Sequence, residues 1–99
     1  MNIFRKRDDS AKVLAKINKK AIKYCSARDD SGEEIILGKK GAINVFDNEI
    51  TIVCDGTLVY RCRRKNAKAF ELMSLGGAVI TGDDENGKRV TVTAYYTTP

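Results

Sequence analysis

A chain of 99 residues, 42% hydrophobic with a single proline, has room for one small core and too much apolar content for a disordered segment. No apolar run approaches the ~20 residues that a membrane-crossing helix needs, histidine is absent, and three cysteines are too few for a disulfide framework or a one-chain zinc site. The net charge of +5 is uneven: residues 1–28 hold nine Lys/Arg against two Asp/Glu, and residues 29–99 hold nine against eleven.

The first residues, "MNIFRKRDDS", place their cations after a very short apolar piece, which is not the order of a secretory signal. Cytoplasmic residence is the expectation, with residues 1–9 a flexible basic terminus and 10–99 a single domain. Asp8, Asp9 and Ser10 form a plausible N-cap cluster at the positive end of a helix dipole. Beyond them Leu14, Ile17, Ala21 and Tyr24 recur at three- and four-residue spacing, with no Gly or Pro between. This predicts a helix over 10–27, with Lys12, Lys16, Lys19, Lys20 and Lys23 on its outer arc and Asp29 to Gly32 as its stop.

From Glu33 the apolar period falls to two and turn signals recur every eight to twelve residues, predicting an antiparallel meander over 33–96. A two-residue Asp47-Asn48 turn pairs Val45 with Ile50 and Ile43 with Ile52. For the next hairpin, a three-residue Cys54-Asp55-Gly56 loop gathers Ile43, Val45, Ile50, Ile52, Leu58, Tyr60 and Cys62 on one face, whereas a two-residue loop scatters them. That register sends Arg61 and Arg63 outward and keeps Cys54 and Cys62 beyond disulfide reach. The Gly76-Gly77 turn is open between two registers, one aligning Phe70 with Ile80 and one aligning Met73 with Ile80, and residues 66–73 also suit a short helix. In the last strand Val90, Val92, Ala94 and Tyr96 alternate with Thr91, Thr93 and Tyr95.

One helix followed by about six hairpin-linked strands predicts an α+β domain whose meander curls into a small barrel or sandwich. The run "FELMSLGGAVITGDDENGKRVTVTAYY" is similar to small uncharacterised bacterial β-rich proteins, through Glu71 to Ser74, Gly77, Gly82 and Tyr95-Tyr96. The succession of short strands resembles bacterial pleckstrin-homology-like (PH-like) or GRAM-like barrels. That resemblance implies a binding role and carries over no site residues, since a fold does not fix a function.

The chemistry points the same way. There is no histidine to serve as general base or to activate Cys25, Cys54 or Cys62, and no phosphate-cradling glycine motif. Asp83, Asp84 and Glu85 do not follow the order of a calcium loop. The expectation is therefore a non-enzymatic module without metal or cofactor. Arg61, Arg63, Arg64, Lys65 and Lys68 are candidate phosphate ligands of a nucleic acid or an anionic lipid surface, although cations at a strand end also serve simply to block edge pairing. The basic helix face is a second candidate, for an acidic protein partner or a membrane; its apolar stripe is equally needed for the core. A protein partner is the leading expectation, with nucleic acid, anionic membrane and self-association kept as alternatives.

Overall fold

The structure, a computed structural model, describes residues 10–28 and 31–97; the expected flexible terminus 1–9 and the Asp8-Asp9 part of the cap lie outside the described residues. Helix α1 (Ser10–Ile17) is followed by seven strands, β1 (Ala21–Arg28), β2 (Glu34–Val45), β3 (Glu49–Cys54), β4 (Thr57–Arg63), β5 (Lys68–Glu71), β6 (Gly77–Asp83) and β7 (Arg89–Tyr96). All pairings are antiparallel, in one sheet of order β4-β3-β2-β1-β7-β6-β5.

The helix is shorter than expected. It stops at Ile17, and Lys19 takes a left-handed conformation (φ 67°) that reverses the chain. Ile43 and the Lys19–Lys20 segment then exchange backbone hydrogen bonds of 2.6 and 3.1 Å, and the Asn18 side chain accepts from the Val45 N–H at 2.9 Å. Residues 21–28 suit a strand as well as a helix, because Ile, Tyr and Cys are β-tolerant and the segment also alternates. What decides is non-local: as a strand this segment pairs with both β2 and β7 and becomes the centre of the sheet. Lys19, Lys20 and Lys23 therefore share no helix face with Lys12 and Lys16, and the strand count rises to seven.

The β2–β3 register is the expected one, with Val45 opposite Ile50 and Ile43 opposite Ile52. At β3–β4 the loop differs. Cys54 pairs with Thr57 across a two-residue Asp55-Gly56 turn, both residues at positive φ (51° and 79°), the geometry for which Asp-Gly is favoured. The bulge falls two residues later: Val53 faces Leu58 and Ile52 faces Tyr60, leaving Val59 as the extra residue. This shift restores the apolar face from Tyr60 onward, so Ile50, Ile52, Tyr60 and Cys62 are buried while Arg61 and Arg63 are exposed. Leu58, before the bulge, is left half exposed, contrary to expectation. The turn-plus-bulge expected there occurs instead at the β6–β7 tip, where the Asp84 N–H donates to the Lys88 carbonyl and Gly87 sits at φ 81°.

Neither register anticipated for the Gly76-Gly77 hairpin forms. Ala69 pairs with Ile80 and Glu71 with Ala78, so Met73 to Gly76 make a four-residue loop closed by the Leu72 N–H donating to the Gly77 carbonyl at 2.9 Å. This puts Ala69 into the core and Phe70 on the outside. β7 alternates as expected, with Val92, Ala94 and Tyr96 buried.

The sheet curls until its inner face meets itself. The Tyr60 hydroxyl donates to the Val90 carbonyl at 2.9 Å, and Cys62 packs against Gly82 of β6. The edges β4 and β5 are not hydrogen-bonded to one another, so the sheet is not closed. Helix α1 packs on β5 and β2, inserting Leu14 and Ile17 among Ile22, Ile43, Ile52, Ile80 and Val92. The Ser10 hydroxyl accepts from the Ala69 N–H at 2.9 Å, tying the start of α1 to the outer edge of β5.

Candidate functional site

The curl and the short helix together create a cleft of about 500 Å³ lined by Lys16, Lys20, Lys23, Glu71, Tyr96 and the Ser74–Gly76 loop, with Thr97 at its end. Each lysine arrives by a different local cause. Lys16 is in the last turn of α1, Lys20 follows the left-handed reversal at Lys19, and Lys23 is the residue that β1 bulges out where its pairing with β7 shifts. Glu71 ends β5 and Tyr96 ends β7. The β5–β6 loop is held beside them because the Gly76 carbonyl accepts the Tyr96 N–H at 2.9 Å.

Glu71 organises one side of the cleft. Its Oε1 lies 2.9 Å from Lys16 Nζ, and its Oε2 accepts a 3.0 Å hydrogen bond from the Tyr96 hydroxyl. Lys16 holds the Glu71 carboxyl below the usual carboxylate value, and Tyr96 and Lys20 add to that effect. Burial, followed by the Glu71 hydrogen bond, pushes the Tyr96 phenol upward, so it stays a neutral donor. Lys20 Nζ stands 4.8 Å from the Tyr96 ring centroid, a cation–π contact that leaves its charge un-neutralised. Among the described residues Glu71 is the only acid lining the cleft, and both of its oxygens are engaged. Lys20 and Lys23 thus present two charges that an anion can neutralise.

A depressed carboxyl pKa has a definite consequence. The contribution of Glu71 is fully present above the ordinary carboxylate value of ~4.3 and is lost as pH falls through its lower folded value. A carbon-detected NMR titration is expected to show the Glu71 carboxyl titrating below that ordinary value, and Lys16→Ala to move it back up. An unchanged midpoint in the variant would rule out Lys16 as the cause.

The arginine cluster read from the sequence has a different setting. Arg61 and Arg63 line a second cleft, of about 590 Å³, with Asn48, Glu49, Cys62, Asp84, Glu85 and Asn86. Arg61 Nε is 2.8 Å from Glu49 Oε1, and Arg64 Nη1 donates to the Phe46 carbonyl at 3.0 Å. Lys65 is exposed in the β4–β5 turn and Lys68 is exposed at the start of β5. Two guanidinium groups here face three carboxylates, a balance that disfavours phosphate. Of the five lysines, Lys16, Lys20 and Lys23 are brought together, whereas Lys12 and Lys19 are exposed and do not line the cleft. Nothing local in the sequence marks Glu71, Tyr96 or Gly76 as their partners; the cleft is assembled from three separate stretches of chain, 16–23, 71–76 and 96–97.

The thiols offer no accessible nucleophile: Cys25, Cys54 and Cys62 are all buried, and burial pushes the Cys25 thiol up to about 12, with the neighbouring Cys54 adding to the shift. Among the described residues no group of three His, Cys, Asp or Glu side chains is placed to hold a metal ion, and no helix is long and apolar enough to cross a membrane. Compared with known proteins, the chain matches no family model, no curated protein and no solved structure.

Proposed function

We propose that this chain is a non-enzymatic, PH-like binding module of the cytoplasm that recognises an anionic group through the cleft of Lys16, Lys20 and Lys23. The observation that carries this reading is the pair Lys20 and Lys23: two cations in one concave site, in which the one carboxylate among the described residues is already committed to Lys16 and Tyr96. Ammonium groups are strongly hydrated point charges, suited to phosphate or carboxylate on a partner without demanding the planar geometry of arginine. In this reading the curled sheet is a barrel-like scaffold, and the helix that closes it also supplies one wall of the site. The arginine cleft is left to structural ion pairing, because Glu49, Asp84 and Glu85 oppose its cations.

Titration with inorganic pyrophosphate, followed by amide NMR, tests this. Shifts are expected at Lys20, Lys23 and Gly76, with affinity falling as salt rises. Lys20→Glu with Lys23→Glu is expected to abolish them, and Arg61→Ala with Arg63→Ala to leave them unchanged. Shifts centred on Arg61 and Arg63, or none at all, would defeat the reading.

A further inference from the structure

Resting on that reading, we propose that the anionic partner is the surface of a lipid bilayer, and that Met73 and Leu75 are the residues that enter it. The membrane route considered from the sequence used the helix, but Leu14 and Ile17 are buried in the core and cannot serve as an anchor. The apolar anchor lies elsewhere. The loop Met73-Ser74-Leu75-Gly76 carries no charge, Met73 is 101% exposed, and Leu75 is 67% exposed while itself lining the lysine cleft.

The backbone supports a built feature. Leu75 sits at φ 61°, a left-handed conformation that costs a branched side chain of its kind about 1–2 kcal/mol. It is held there by the turn in which the Leu75 N–H donates to the Leu72 carbonyl at 2.8 Å, and the Gly76 carbonyl anchors the loop to β7. Glycine would occupy this position without strain. Leucine instead presents an exposed apolar side chain beside the cations.

The bilayer is favoured over other occupants by the combination. Uncommitted ammonium groups meet anionic headgroups while neighbouring apolar side chains reach the acyl boundary, and stable attachment needs two such signals together. A second copy of the chain does not fit as well, since two side chains fall far short of the roughly 800 Å² per partner of a stable interface, and the lysines would meet lysines across it.

The chain contains no tryptophan, so Leu75→Trp or Met73→Trp gives a single reporter; the second guards against the left-handed position rejecting the larger ring. With mixed phosphatidylcholine–phosphatidylserine vesicles the emission is expected to shift to the blue and the protein to co-sediment, and with pure phosphatidylcholine neither should occur. Met73→Asp with Leu75→Ala is expected to weaken vesicle binding about tenfold or more; Met73→Asp alone, which changes no residue lining the cleft, is expected to leave pyrophosphate binding intact. Lys20→Glu with Lys23→Glu should remove both. Pyrophosphate binding without vesicle binding, or vesicle binding indifferent to residues 73 and 75, overturns this inference and leaves the anion site standing. A blue shift that grows with protein concentration in the absence of vesicles assigns the loop to self-association and overturns it too. Loss of pyrophosphate and vesicle binding alike brings down both.

Discussion

Gly41→Ala is expected to destabilise the domain by about 3 kcal/mol, the upper end of the range for overpacking a core, and to lower the melting temperature by roughly 15 °C for a domain of this size. A methyl group at residue 41 would run into the Val53 carbonyl and lie 2.8 Å from the Cys54 Cα, with the Cys54 sulfur at 2.7 Å. Two of these three obstacles are backbone of the paired strand β3, so no rotamer change relieves them. Gly56→Ala is the natural contrast. It has open space around it, but at φ +79° it costs about 1–2 kcal/mol through the backbone alone. Chemical denaturation of both variants separates the two causes: equal losses would show that the approach of β2 to Cys54 is not tight.

Ile17→Ala is expected to cost about 2–5 kcal/mol, as for other buried isoleucines truncated to alanine. Ile17 is fully buried, and with Leu14 it docks a helix of only eight residues. A helix that short has no independent stability in water. Weakened docking should therefore raise hydrogen exchange throughout α1 before the sheet is affected. It should also separate Lys16 from Glu71 and open the lysine cleft, so pyrophosphate affinity is expected to fall although no cleft residue is changed. Uniform loss of protection in sheet and helix would instead mean that α1 unfolds only with the whole domain.

The two variants mark what was legible in the residues and what was not. Alternation placed most of the buried residues of β3, β4 and β7 correctly, and it sent Arg61 and Arg63 outward. It misplaced the bulge, because one extra residue inverts the face wherever it is inserted, and the burial of Tyr60 and Cys62 is consistent with several insertion points. Leu58 distinguishes them only once its exposure is known. In the β5–β6 hairpin two adjacent glycines suggested the turn, but the tight bend lies at Met73 to Leu75, with leucine in the conformation that glycine would favour. The local pattern there is misleading.

Periodicity and turn chemistry, which act between residues close in the chain, gave from sequence alone an α+β fold of antiparallel strands with a basic N-terminal region. Whether residues 21–28 are helix or strand, and hence where five lysines go, was settled by tertiary structure. Both conformations satisfy the local pattern, and only the strand fills the gap between β2 and β7. The lysine cleft exists because that competition was won by pairing over distance: the chain reverses at Lys19, and side chains up to 80 residues apart, from Lys16 to Tyr96, come to line one cleft.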